Sequence, residues 1–372
     1  MPPVTVRDVY DALDRFAPFR LAAEWDNVGL LAGGPTARVR RILIALDLTD
    51  AVAAEALRTN SDLLVVYHPP IFKGIRSITA RAEAPTSRLP ELLGAGTAII
   101  ALHTALDAAA GGTNDVLLDA VQPAERFPLE PLVPERAGYK LVVFVPAARA
   151  AALRAALAEA GAGVIGHYTE CSFELDGHGT FRGDETTNPA VGRRGRLERV
   201  PETRLEMVLP AERVGPVVRA LYATHPYEEP AFDLYPLHAV AGRAAVGPGR
   251  VGLLRRPEAG TTLLRRLGRV ADLSTATVVG ELRRKFRGVL VAVGSFGVRA
   301  FRDPELLVVT GEFKHHDALE LLKRGVTAVQ LGHFASEAPV RARIRTVVAR
   351  AVRPVRVAVA RADRPPLRAV RG

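Results

Sequence analysis

The chain has 372 residues, 48% of them apolar and 24% charged, with a formal net charge of +10. No apolar run approaches the roughly 18 residues of a membrane span, and the N-terminus lacks the charged-then-apolar order of a signal peptide, so a soluble, cytoplasmic chain of two or more domains is expected. A single cysteine, Cys171, excludes an internal disulfide framework and a cysteine-rich zinc site. Only five of the 50 basic residues are lysine, and the arginines are scattered in pairs such as Arg193-Arg194 and Arg283-Arg284 without interleaved aromatics. Charge of that kind argues for non-specific contacts at most, and nucleic acid is not an expected partner.

In chain order, residues 41–46 are predicted as a strand ending at Asp47, and 50–58 as a helix capped by Thr49 or Asp50. Strands follow at 63–67 and 98–102, with helices at 87–93 and 113–121. Continuous apolar strands between helices indicate an α/β unit whose sheet is covered on both faces. The proline-rich stretch 127–134 then reads as a linker. Beyond it come strands at 139–145, 171–175, 203–209 and 231–235, with helices at 147–160 and 211–224. The order β-α-β-β-α-β is that of a ferredoxin-like module, and the glycine-rich 177–195 segment is expected to be a long hairpin or loop. From about 242 the α/β pattern resumes, with strands at 250–254, 276–279, 289–293, 306–310 and 327–331, helices at 262–270, 314–323 and 337–351, and a last strand at 355–360. A basic tail, 364–372, is expected to be disordered. The expected domains are a discontinuous α/β unit, 1–127 with 242–372, and an insert, 135–240.

The residues able to do chemistry sit at strand ends. His103-Thr104-Ala105-Leu106-Asp107 and His333-Phe334-Ala335-Ser336-Glu337 each put a carboxylate four residues after a histidine that closes an apolar run. His68 closes another such run, where Pro69 restricts it to extended backbone. Glu312 and the pair His315-His316 follow a further strand, and adjacent histidines point to different faces. Each signal alone has an ordinary reading; Glu337, for instance, with Ser336 as cap, suits a helix start with no metal present. Together, nitrogen and oxygen ligands at the carboxyl ends of strands suit a divalent metal site. No nucleophile elbow, P-loop or dinucleotide glycine pattern competes with that reading.

Successive motifs also carry a resemblance. Glu24-Trp25-Asp26-Asn27-Val28-Gly29-Leu30-Leu31, Tyr67-His68-Pro69-Pro70-Ile71-Phe72, His103 to Asp107, Thr310-Gly311-Glu312 with His315-His316, and Gly332-His333 with Ser336-Glu337 resemble the GTP cyclohydrolase 1 type 2 homologue family, dinuclear-metal proteins also called NGG-interacting-factor-three-like. The resemblance spans about residues 4–360. Tyr168 to Phe173 and His225-Pro226-Tyr227-Glu228-Glu229-Pro230 are similar to the PII/CutA-like insert of longer bacterial members. It implies two similar α/β halves in a three-layer unit, and two divalent ions per subunit (Zn, Fe, Mn or Mg). His68 and Asp107 would hold one metal, His333 the second, and Glu337 would bridge both. The family's histidine before His68 is here Tyr67, a poor ligand unless ionised, so His103 either fills that gap or supports a ligand. The resemblance further implies a toroidal homohexamer, and a metal-activated water attacking a purine or similar cyclic substrate while His103 or Glu312 moves protons. The competing expectation is a non-catalytic metal-binding assembly whose insert senses a ligand or gates the cavity.

Overall fold

The computed structural model describes residues 3–75, 77–79, 88–132, 138–238 and 245–367. They form two compact units, one from 1–132 with 243–372 and one from 133–242. The first unit opens with a helix that the sequence pattern had not declared, α1 (Val6–Phe16), started by a reciprocal cap between Thr5 and Asp8. There follow β1 (Gly29–Ala32), β2 (Arg41–Ala45), α2 (Asp50–Arg58), β3 (Leu63–Val66), α3 (Leu89–Gly94), β4 (Ala98–Ala101), α4 (His103–Ala108), α5 (Thr113–Asp119) and β5 (Glu125–Pro128).

The second unit runs β6 (Gly138–Pro146), α6 (Ala147–Glu159), β7 (Phe173–Phe181), β8 (Glu198–Leu209), α7 (Val214–Thr224) and β9 (Phe232–Leu237). Its four strands pair antiparallel in the order β7-β8-β6-β9. Both helices cover one face, where Leu141, Val143 and Val145 of β6 meet Leu205 and Met207 of β8, Leu153 and Leu157 of α6, and Leu221 of α7. The opposite face keeps Phe173, Leu175 and Tyr235 exposed.

The chain then completes the first unit with β10 (Arg250–Ala259), α8 (Gly260–Leu267), β11 (Thr277–Val279), β12 (Lys285–Ala292), β13 (Leu306–Thr310), α9 (His315–Lys323), β14 (Thr327–Gln330), α10 (His333–Glu337), α11 (Val340–Ala351) and β15 (Arg356–Val359). Two sheets result, ordered β1-β4-β3-β2-β15 and β11-β14-β13-β12-β10-β5. In the first, β2, β3 and β4 are parallel and β1 is antiparallel on β4. In the second, β12, β13 and β14 are parallel and β11 is antiparallel on β14. The core of each sheet thus repeats one arrangement of four strands.

Period-two alternation sends neighbouring side chains to opposite faces of these strands. Ile42, Ile44, Val65 and Ile100 pack with α1 and α11, while Leu43, Leu64, Val66 and Ile99 pack with α2 and α3. The second sheet does the same: Val289, Val291 and Val309 pack against α5 and α8, and Leu290, Val308 and Ala328 against Leu321 of α9. At about 1.5–3 kcal/mol for each fully buried aliphatic side chain, two-sided burial rather than strand propensity holds these sheets.

Several boundaries differ from expectation. Part of the supposed linker is β5, which pairs antiparallel with β10, because Phe127 and Pro128 find partners across the sheet edge. The glycine-rich segment lengthens both strands of its hairpin, since Gly177 and Gly179 pair in register with Glu202 and Val200. The helix expected from 337 is two helices: α10 ends at Glu337, and Pro339 precedes α11. Ser336 does not cap it but donates to the His333 carbonyl at 2.7 Å. The expected helix start at 87, linker end at 133–134, insert limits at 135, 239–240 and 242, and tail from 368 lie outside the described residues. No described helix is long and apolar enough to cross a membrane.

Candidate metal centre

The carboxyl ends of the parallel strands of both sheets carry the polar residues. Asp47 follows β2, His68 follows β3, and His103 opens the short helix after β4. Gly294 follows β12, Glu312 follows β13, and His333 opens the short helix after β14. Among the described residues, His68, His333 and Glu337 are the one group of three or more potential ligands whose donor atoms lie within 4.8 Å of one another. The His68 and His333 Nε2 atoms are 3.4 Å apart. They lie 3.3 Å and 3.2 Å from Oε2 and Oε1 of Glu337, respectively.

Each imidazole is held from behind by a carboxylate. His68 Nδ1 is 2.9 Å from Asp47 Oδ1, and His333 Nδ1 is 3.0 Å from Glu312 Oε1. An acceptor at Nδ1 selects the tautomer whose Nε2 lone pair is free, the usual support for a metal-binding histidine. Glu337 is 3% exposed, yet its Oε2 has no hydrogen-bond partner among the described residues. A buried carboxylate oxygen left without a donor is costly, and a cation relieves that cost. The donor set therefore fits a divalent ion of the borderline class.

The backbone of Gly294 makes room for this carboxylate. A Cβ there would lie 2.5 Å from Glu337 Oε1, and the residue has φ +62, where a side chain is strained. Its N–H donates to Ser336 Oγ at 3.0 Å, fixing the turn against α10.

The electrostatics follow from the crowding. The hydrogen bond to Glu337 is the largest cause pushing His333 up to about 9, helped by Glu312 and opposed by burial. Burial lowers His68, but the Asp47 hydrogen bond and the charges of Glu337 and Asp47 outweigh it, so the net shift is upward.

Of the other expected ligands, Asp107 and Tyr67 face each other. The Tyr67 hydroxyl donates to Asp107 Oδ1 at 2.5 Å. Burial, then the charges of Asp107 and Glu337, push the phenol well above its ordinary value, so it stays a protonated donor in this structure. Burial also raises Asp107 to about 6, against the Tyr67 hydrogen bond. Neither belongs to the 4.8 Å group. His103 lies beside the group, its ring 5.4 Å from that of His68. Its Nδ1 is 2.8 Å from Asp26 Oδ1, and it adopts φ +32, a left-handed conformation held in place by that contact and by its N–H bond to the Tyr67 carbonyl at 2.9 Å. Burial raises Asp26, but His103 and Thr104 hydrogen bonds hold its carboxyl below the ordinary range. His315 and His316 are exposed and pair with each other, their rings 5.5 Å apart.

Sequence reasoning gave no role to Asp47 or Asp26. Asp47 was marked as the end of a predicted strand next to that of His68, and in a parallel sheet such neighbours share a rim. Asp26 lay within a quoted motif, but its pairing with a histidine 77 positions away has no local signal.

The Duf34/NIF3 (NGG1p interacting factor 3) family description matches residues 4–366. A protein of Halalkalibacterium halodurans named GTP cyclohydrolase 1 type 2 homolog is 37% identical over 329 residues, covering 87% of each chain. A Mycobacterium leprae protein of the same name is 36% identical, with 89% of this chain and 86% of that one covered. The solved structure of a Bacillus cereus protein related to NIF3 superposes over all of both chains with a TM-score of 0.72 at 31% identity. A Staphylococcus aureus structure at 24% identity, TM-score 0.81, again over both whole chains, supports the fold alone. By sequence over nearly its whole length, the chain belongs to the Duf34/NIF3 family.

Proposed function

We propose that this protein is a divalent-metal-dependent hydrolase of the GTP cyclohydrolase 1 type 2 kind, opening a purine or another cyclic amide-like substrate. The observation that carries the reading is the pair of imidazoles, each backed by a carboxylate at Nδ1 and presenting Nε2 to one buried, under-satisfied glutamate. His68, His333 and Glu337 would hold the metal, and Asp107, which now accepts from the Tyr67 hydroxyl, would be the further carboxylate for a second ion, giving two ions per subunit. Zn, Fe, Mn or Mg are the candidates, the imidazoles favouring the first three. A bound divalent ion would supply Lewis acidity toward the substrate and toward water.

The chain's own residues would do the rest. Glu312 and Asp47 hold the two imidazole planes. Asp26 holds the His103 Nδ1 proton, which leaves His103 Nε2 to take a proton from water and return it to the leaving nitrogen. Trp25 and Phe72, with ring centroids 5.9 Å apart, flank His103 and offer apolar faces to a planar ring. The guanine-like substrate rests on the relatives' name. The same reading includes a toroidal homohexamer, a cytoplasmic location and a ferredoxin-like, PII/CutA-like identity for the 133–242 unit, which its element and strand order support.

The test is turnover by metal-loaded protein across purine nucleotides and other cyclic amides. The reading expects turnover of one class, lowered at least about 100-fold by Glu337→Ala with the assembly's mass unchanged. Absence of turnover across the panel by fully loaded protein overturns the hydrolase and leaves the non-catalytic metal-binding assembly.

A further inference from the structure

The 133–242 unit contains a cavity of about 680 Å³ on the face of its sheet that the helices leave uncovered. Strand alternation places it there: Val143, Val145 and Leu205 point to the core, while Phe144, Glu202 and Arg204 point into the cavity. The volume is that of a small-molecule site.

We infer that this cavity binds a small organic cation, an alkylamine or quaternary ammonium group, with Glu202 as its counter-charge. Glu202 is 8% exposed, and its Oε1 accepts a hydrogen bond from the Tyr227 hydroxyl at 2.8 Å. No described cationic side chain forms an ion pair with it. The basic groups nearby are otherwise committed or turned outward. Arg204 Nε donates to Glu206 at 2.9 Å, and Arg182 and His178 are exposed. His225 accepts the Tyr227 N–H at Nδ1 (3.1 Å) and donates from Nε2 to the Phe144 carbonyl (3.0 Å), the pattern of an uncharged ring. A buried carboxylate without a cation is expensive, so the cavity favours a positive occupant.

The walls select an organic one. Phe181 and Tyr227 stand 6.2 Å apart between centroids, and Phe144 already has the Arg204 guanidinium 5.8 Å above its ring. Aromatic faces of this kind attract ammonium groups. Gly179 leaves the strand bare beside the carboxylate, since a Cβ there would sit 2.0 Å from Glu202 Oε2. A bare metal ion is disfavoured, because the cavity's carboxylates do not converge: the one ligand group within 4.8 Å among the described residues is the metal centre. Acids still outnumber bases on the lining, with Asp176, Glu202, Glu228 and Glu229 against His178, Arg182 and Arg204.

The inference is independent of the proposed hydrolysis. It is tested by calorimetric titration of the full chain with choline, putrescine, the uncharged choline isostere 3,3-dimethyl-1-butanol, and inorganic pyrophosphate. The expected result is saturable binding of choline or putrescine, at least about tenfold tighter than the isostere and pyrophosphate. Glu202→Gln should weaken the amine at least about tenfold and leave the isostere unchanged, Phe181→Leu should weaken it as well, and His333→Ala should leave it intact. Circular dichroism confirms folding, and if Glu202→Gln does not fold, Phe181→Leu decides. No amine binding, equal binding of choline and its isostere, tighter pyrophosphate binding, or undiminished affinity in the folded variants would overturn it.

Discussion

The His333 imidazole lies between two carboxylates, Glu337 at 3.2 Å and Glu312 at 3.0 Å. Its affinity for protons, raised to about 9, has a definite sign in stability. A histidine with a raised folded pKa stabilises the folded state fully below its unfolded value of about 6.5, and that contribution is lost as pH rises through the folded value. Metal-free protein should therefore lose denaturant resistance between about pH 6.5 and 9, and His333→Gln should flatten that slope. The side chain is 39% exposed, so solvent screening keeps the effect modest. Urea midpoints across this range check it; an identical slope in the variant would refute the assignment. At this scale the sequence was a partial guide. The histidine-to-acid spacings singled out His333 and Glu337, which do meet, and His103 and Asp107, which turn instead to Asp26 and Tyr67. Spacing places two side chains on one helical turn; it does not choose their partners from other strands.

The elements explain why the spacings matched at all. β4 and β14 occupy the same position in their sheets, between an antiparallel edge strand and a parallel neighbour, and each leads into a short helix opened by histidine. Strand cores were readable because two-sided burial leaves continuous apolar runs; the 306–310 strand was placed to the residue. Elements with weaker apolar signatures were missed, notably β1, whose pattern is one buried residue followed by three partly buried ones. A buried link between the two sequence-distant parts was also invisible. Arg250 at the start of β10, 2% exposed, donates to Asp115 of α5 at 2.9 Å and to the carbonyls of Ala108 and Ala109 just after Asp107. Removing it leaves Asp115 with Arg126 at 3.1 Å as its remaining arginine partner and the Ala108 and Ala109 carbonyls without that donor, so Arg250→Met should cost about 1–3 kcal/mol in urea unfolding. A loss below about 1 kcal/mol would show that the ion pair does not brace α4 and α5 against the second sheet.

For the molecule as a whole, the family relation, the α/β architecture and the meeting of candidate ligands from both ends of the chain were legible, since the ordered motifs sit at strand ends whose geometry is fixed. The support around the ligands was not, because Asp47, Asp26 and the cradle at Gly294 depend on contacts between strands distant in sequence. The central claim is that His68 and His333 bring those ends together on metal. Metal content per chain, measured by elemental analysis after reconstitution with zinc, iron or manganese, tests it most directly. The account predicts two divalent ions per chain, with His68→Ala and His333→Ala each losing one or binding it about 10–100-fold more weakly while remaining folded. Full metal content in both variants, or no bound metal in the unaltered protein, would contradict it.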